Sequence, residues 1–261
     1  MAIGLCIIGD EILSGKRRDK HFAQVQELLA ARGMQLHWAQ YLSDDPSLLQ
    51  MALRASFARG DVVLSCGGIG ATPDDHTRQS ASAALNVPLE LHPEAKRLIQ
   101  QRIATAALGP PDSPANVQRL QMGMFPRGSA IIPNPYNQIP GFSILQHFFV
   151  PGFPVMAWPM LAWVLDGPLK HLQRIGGYLE RAVIIQGAME SDLTPLMERI
   201  EHDHAGVKVF SLPSVDHPEW GRHIELGVKG EPRHVDGAFD ALKQGLEGLK
   251  AHICTEVVRK L

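Results

Sequence analysis

From Ile3 to Ile8 the chain is apolar with no polar alternate, the pattern of a strand covered on both faces. Between Asp19 and Arg32, Phe22, Val25, Leu28 and Leu29 recur at helical spacing, and Gly33 is placed to close that helix. Leu36 to Leu42 predicts a second strand. Asp45 as N-cap and Pro46 in the first turn open another helix, which Gly60 ends. Asp61 to Ser65 reads as a third apolar strand, running into Cys66-Gly67-Gly68-Ile69-Gly70. Two strand–helix–strand passages in this order imply right-handed crossovers and a mostly parallel sheet.

Further on, a helix is predicted over Glu94 to Ala107, broken by Gly109-Pro110-Pro111. Ala130 to Pro133 and Gly141 to Val150 read as strands around the loop Asn134-Pro135-Tyr136-Asn137-Gln138. Met156 to Leu165 reads as a helix, and Asp166-Gly167-Pro168 closes a first domain over residues 1–168. Residues 175–261 have another rhythm: a strand over Tyr178 to Gln186, a helix over Glu190 to Glu201, strands over Val207 to Leu212 and His223 to Val228, and a helix over Val235 to Leu249. The fold class is therefore α/β, with a small α+β domain behind it. Pro151, Pro154 and Pro159 interrupt the most apolar late stretch, Phe148 to Leu165, so it predicts strand, turn and helix and no membrane span.

Composition narrows the function classes. With 45% hydrophobic and 20% charged residues the chain is too apolar for disorder. A formal net charge of -2 gives no basic excess, so nucleic acid is not the expected partner. Cys6, Cys66 and Cys254 lie far apart, which excludes a disulfide framework and fits a reducing compartment. The N-terminus reads as a buried strand and not as a signal peptide, and a cytoplasmic location is expected.

The richest stretch is Gly67-Gly68-Ile69-Gly70-Ala71-Thr72-Pro73-Asp74-Asp75-His76-Thr77, between a strand and a helix. In an open parallel sheet, ligands bind at that end of the strands. Three glycines allow close backbone approach, and backbone N–H groups suit a phosphate or carboxylate. A structural alternative accounts for part of it: Thr72 as N-cap, Pro73 in the first turn and Asp75 three residues on form a capping box. Two aspartates beside an anion site call for a divalent cation, Mg2+ or Co2+, shared with substrate phosphates. Gly9-Asp10-Glu11-Ile12-Leu13-Ser14-Gly15 follows the first strand and reads either as part of the same crevice or as a turn. Asp44 follows the second strand and has no capping duty, because Asp45 fills the N-cap. Asp19 serves as a helix cap.

Those three segments, in that order, resemble the molybdopterin-binding (MogA/MoaB-like) domain in the variant of the CinA-type competence/damage-inducible proteins. Asn134-Pro135, Pro140-Gly141-Phe142 and Pro151-Gly152-Phe153-Pro154 match that family's later signatures. The resemblance implies a three-layer α/β/α sandwich, a homo-oligomer (dimer or trimer), and a pterin or nucleotide ligand bound with a divalent metal, molybdopterin included. It makes the acids at Asp44 and Asp75 functionally important and adds Asn134, Pro151 and Gly152 to the ligand site. The residues after 168 resemble the module that follows this domain in CinA-type proteins; the amidase-like domain of the longer relatives is not expected. Three segments depart from the family: Ala71-Thr72 after the third glycine, Asp19-Lys20-His21 for the usual Asp-Thr-Asn, and Asn137-Gln138-Ile139 for Gly-Thr-Ala.

The leading expectation is metal-dependent cleavage of a nucleotide pyrophosphate, which the resemblance implies would be ADP-ribose or FAD. Asp10, Asp74 and Asp75 would hold the metal, with Asp44 as general base and Asp75 as the second catalytic acid. Gly9, Asp10, Glu11, Ser14, Gly15, Gly67, Gly68, Gly70 and Thr72 would contact the ligand. The alternative is a non-catalytic molybdopterin- or nucleotide-binding protein linked to molybdenum cofactor biosynthesis. A third reading is an oligomer whose pocket has decayed.

Overall fold

Ile3–Ile8 (β1) is a strand buried at every position, and the elements follow from it in a computed structural model that describes all residues except Met1, Ile175, Gly176, Tyr178, Lys250 and Leu261. A four-residue turn of helix, Asp10–Leu13 (α1), leads to His21–Ala30 (α2), Trp38–Leu42 (β2), Pro46–Arg59 (α3), Val62–Cys66 (β3), Thr77–Leu85 (α4), Leu89–Leu91 (β4), Pro93–Thr105 (α5), Pro114–Gln121 (α6), Met124–Pro126 (β5), Ala130–Ile132 (β6), Gly141–Ile144 (β7), His147–Val150 (β8) and Pro154–Asp166 (α7). Contacts divide the chain into two units, Met1–Leu29 with Gln35–Leu172, and Ala30–Met34 with Gln173–Leu261.

The first unit is built on a sheet of order β2-β1-β3-β8-β7-β6. Strands β2, β1, β3 and β8 are parallel, and β7 and β6 return antiparallel. Because β1 lies between β2 and β3, the crossovers through α2 and α3 travel in opposite directions, and one handedness sets them on opposite faces. This is the three-layer α/β/α arrangement. Caps punctuate it as local chemistry requires. Asp45 Oδ1 accepts the Leu48 N–H at 2.8 Å and Gly60 ends α3 with φ 67. Asp19 accepts the N–H groups of His21 at 2.7 Å and Phe22 at 3.1 Å. In the core, the Phe125, Phe142 and Phe149 rings stack with centroids 4.8 and 4.5 Å apart.

The structure corrects several boundaries. Gly141 to Val150 is not one strand but a hairpin, turning at Leu145-Gln146 between paired Ile144 and His147. Leu145 takes φ 53 there, a conformation branched side chains rarely adopt, so no Gly or Asn signals the turn. The capping box does not start a helix: α4 begins at Thr77 with His76 as its cap, and Thr72–Asp75 is a separate turn closed by the Asp75 N–H on the Thr72 carbonyl at 3.0 Å.

The second unit is a sheet of order β10-β11-β9-β12 with two helices, from Leu179–Gln186 (β9), Glu190–Asp203 (α8), Val207–His217 (β10), Gly221–Gly230 (β11), Pro232–Glu247 (α9) and His252–Lys260 (β12). All its strand pairs are antiparallel. Ile175 and Tyr178, expected at the start of this domain and of β9, lie outside the described residues. Strand β12 escapes the sequence pattern because a register shift between Ile253 and Thr255 breaks its alternation. No helix among the described residues is long and apolar enough to cross a membrane.

Candidate functional site

The parallel strands β1, β2, β3 and β8 deliver four loops to one edge of the sheet: residues 9–15, 43–45, 67–76 and 151–153. Backbone ties hold the loops together. The Gly9 N–H donates to the Leu42 carbonyl at 3.1 Å and the Gly67 N–H to the Val150 carbonyl at 3.0 Å. Asp10 and Asp44 lock the first two loops reciprocally. Asp44 Oδ2 accepts the Asp10 N–H at 2.9 Å, and Asp10 Oδ1 accepts the Asp44 N–H at 3.3 Å.

Asp44 is the acid its environment perturbs. Burial raises its carboxyl pKa first, the Asp10 N–H opposes that, and the charges of Asp10, Glu11 and Asp74 raise it further. The acids following β1, β2 and β3 therefore share one electrostatic region. Asp74 lies at its rim, its pKa lowered by the Thr72 hydroxyl, by its own backbone N–H and by His76. Asp75 belongs to a different set. Its Oδ2 accepts the Thr72 N–H at 2.9 Å and also the Thr72 hydroxyl, and its charge is felt by Arg78. The acid cluster is thus Asp10, Glu11, Asp44 and Asp74, while Asp75 is bonded to Thr72. Among the described residues no group of three His, Cys, Asp or Glu forms a metal cage.

Replacing Asp44 by Asn tests the repulsion. A carboxyl whose folded pKa is raised supports the fold most fully when protonated, and that support is lost as pH rises through the folded value. The amide oxygen of the new side chain can still accept the Asp10 N–H, so Asp44→Asn should be roughly 0.5 kcal/mol more stable than wild type at pH 7, the scale of one like-charge pair. The gain should vanish below pH ~3, where carboxylates of ordinary pKa are protonated. Urea unfolding at the two pH values measures it, and a pH-independent difference would contradict the shared region.

Each glycine of the β3 loop has an internal reason. A Cβ on Gly67, at φ +110, would meet the Ile8 carbonyl oxygen at 2.1 Å; on Gly68, at φ +67, the Thr77 Oγ1 at 2.1 Å; on Gly70, Asp75 Oδ2 at 2.5 Å. Gly152 closes the other flank, where a Cβ would stand 3.4 Å from the Gly67 Cα. The loop is therefore pressed onto β1 and the 151–153 turn.

The remaining expected residues separate by role. Ser14 closes α1 through its N–H on the Asp10 carbonyl at 2.8 Å, and Gly15, at φ +73, has nothing within 4 Å of a built Cβ; both are exposed turn residues. Asn134 is buried and committed to its own loop. Its Nδ2 donates to Asn137 Oδ1 at 2.8 Å and the Ile139 carbonyl at 3.0 Å, and its Oδ1 accepts the Tyr136 N–H at 3.0 Å. Gly152 borders the glycine loop.

Three residues carry more than the motifs foretold. His21 is buried, its Nε2 donating to the Gly152 carbonyl at 3.0 Å while Nδ1 has no partner among the described residues. Tyr41 donates its hydroxyl to Asp19 at 2.9 Å, and burial together with that carboxylate pushes its pKa up to about 12. Arg78 is buried behind the loop, donating to the carbonyls of Gly70 and Gln121; burial presses its pKa down and Asp75 opposes the shift. A polar side chain at a helix position facing inward was the available signal for Arg78. Burial holds the Cys66 thiol, next to the loop, protonated, so it is no thiolate nucleophile at neutral pH.

Residues 4–171 match the family described as probable molybdopterin binding domain. The chain belongs to that family. It is 28% identical over 254 residues to a protein of Pyrobaculum calidifontis, covering 94% of each chain. It is also similar to the CinA-like protein of Anaeromyxobacter sp., 34% identical over 151 residues, and to that of Desulfovibrio desulfuricans, 31% identical over 175 residues. These cover 56% and 65% of this chain, but only 36% and 39% of the CinA-like relatives' own length. Among solved structures, the CinA protein of Thermoplasma acidophilum superposes with a TM-score of 0.55 at 24% identity, over 64% of this chain and 98% of that one, a likeness of fold. The family match falls mainly in the first unit, and the antiparallel sheet of the second unit lies outside it.

Proposed function

We propose that the protein binds a phosphorylated pterin of the molybdopterin type at the carboxyl edge of its parallel sheet, as a binding component linked to molybdenum cofactor formation. The observation that carries this reading is the seating of the Gly67–Gly70 loop against Ile8 and Gly152, which makes the ends of β1, β3 and β8 one surface inside a domain of this family. The glycine loop would take the ligand's phosphate through backbone N–H groups. Asp10 and Asp44 each have one oxygen committed to the other's N–H. Their remaining oxygens would supply only part of a coordination shell, so Mg2+ or Co2+ would be held chiefly by the ligand's own oxygens. The ion would neutralise phosphate charge. A nucleotide pyrophosphate has the same anionic chemistry and is the second ligand class.

Hydrolysis of ADP-ribose or FAD is a second reading, favoured by the raised pKa of Asp44, which suits a proton acceptor more than an ordinary surface aspartate does. One experiment separates the two. Wild-type protein is titrated anaerobically with molybdopterin, with Mg2+ and then with a chelator, and is incubated in parallel with ADP-ribose or FAD plus Mg2+ or Co2+. Saturable molybdopterin binding, weakened on chelation, with no nucleotide product is the expected outcome. Absence of saturation would overturn the binding reading; release of AMP would replace it with hydrolysis. If hydrolysis is found, Asp44→Asn should abolish it and leave the fold intact, because an Asn oxygen can still accept the Asp10 N–H.

A further inference from the structure

Arg78 is a buried cation for which the described residues provide no ion pair. The residue is 3% exposed. Its guanidinium donates to two neutral carbonyls, those of Gln121 and Gly70, and its Nε has no partner among the described residues. The carboxylate whose charge it feels, Asp75, has Oδ2 committed to Thr72. A guanidinium left this way is expensive to bury, and such a charge is retained where it serves something beyond stability.

What it grips is the glycine loop. The Gly67 carbonyl accepts from Thr77 Oγ1 at 3.1 Å, the Gly68 carbonyl from the Thr77 N–H at 3.0 Å, and the Gly70 carbonyl from Arg78. In a planar trans peptide the N–H points opposite to the C=O. Anchoring these three carbonyls toward α4 therefore turns the N–H groups of Gly68, Ile69 and Ala71 away from it. None of the three meets an acceptor among the described residues. These three donors are therefore open to water or to a ligand's oxygens.

We propose that Arg78 and Thr77 are positioning residues of a phosphate cradle, fixing the loop so that the N–H groups of Gly68, Ile69 and Ala71 present together to one phosphate group, with the guanidinium charge behind them. The proposal rests on the reading of this loop as the ligand site. It deepens that reading by giving the phosphate a cation from the protein itself, independent of any metal at the acid cluster. Arg78 acts through the Gly70–Ala71 peptide and does not touch the ligand.

The test uses isotope-labelled protein titrated with inorganic phosphate in the presence of a chelator, with backbone amide resonances as readout. In the wild type the Gly68, Ile69 and Ala71 amides should shift together with one saturation curve. Arg78→Lys should weaken phosphate about tenfold, the worth of one hydrogen bond to a charged group, and should shrink the Ala71 shift selectively. Thr77→Val, which removes only the hydroxyl, should shrink the Gly68 shift instead, and Thr77→Ser should restore it. This residue-by-residue split is what general loosening of the loop would not produce. Should Arg78→Lys fail to fold, the Thr77 pair still decides. Variants titrating like wild type would overturn the positioning roles and leave the loop as a ligand site; a wild type whose loop amides do not move would remove that site and the proposal with it.

Discussion

Gly67→Ala should unfold the first unit at much lower urea than wild type, losing about 2–6 kcal/mol. Two effects add. A non-glycine residue at φ +110 carries backbone strain of ~1–3 kcal/mol. The new methyl would also lie 2.1 Å from the Ile8 carbonyl oxygen, and relieving that overlap in a packed strand adds ~1–3 kcal/mol. The backbone cannot yield easily, because the Gly67 N–H is bonded to Val150 and its carbonyl to Thr77. Gly15→Ala is the control: φ is +73 there, but nothing lies within 4 Å, so conformation alone should lower stability by ~1 kcal/mol. Equal urea midpoints for the two variants would show that the close approach to β1 has no energetic weight. Since total stability is usually ~5–15 kcal/mol, Gly67→Ala should also abolish any ligand binding near the transition.

Acidification should destabilise the first unit through one buried imidazole. His147 is 1% exposed, its Nε2 paired with Ser56 Oγ at 2.7 Å beside Phe57 and Phe149. Burial lowers its pKa from 6.5 to about 4, with Asp61 raising it and Arg59 adding to the fall. Above pH 6.5 the imidazole is neutral in folded and unfolded chains alike. As pH falls below 6.5, the unfolded chain takes up a proton that the fold refuses until about 4. Stability is therefore complete at high pH and drops through that window by about 3 kcal/mol. His147→Phe provides the reference: the ring can still pack against Phe57 and Phe149, and the Ser56 hydroxyl keeps its own acceptor, the Leu53 carbonyl at 3.1 Å. The wild-type minus variant difference in unfolding free energy should be flat above pH 6.5 and fall between 6.5 and 4, the two pKa limits of His147. A flat difference throughout would contradict a neutral, buried His147.

The parts of the fold readable from residues alone were those written in short-range chemistry. The uninterrupted apolar run of β1, the Asp45–Pro46 start and Gly60 end of α3, and the Asp19 cap of α2 each depend on neighbours a few positions away. The hairpin at Leu145 was hidden because an exposed leucine takes the left-handed conformation there, with no Gly or Asn in the turn to mark it. The glycine loop was readable as special but not for the full reason. Its glycines answer to the backbone of β1, to Thr77 and to Asp75 as much as to any ligand.

Residue types and their spacing were enough to settle that parallel strands end in glycines and acids on a common edge, because crossover handedness and strand polarity follow from local order along the chain. Which acids meet was settled elsewhere. Asp10 reaches Asp44 across 34 positions, and Arg78 reaches Gln121 across 43. Contacts at that separation depend on how side chains pack once the strands are laid down, so Asp44 met Asp10 and a buried arginine took its place behind the loop, whereas the Asp75–Thr72 bond, three residues apart, was already legible as a capping box. Local periodicity could place the edge; desolvation and close packing chose the atoms that share it.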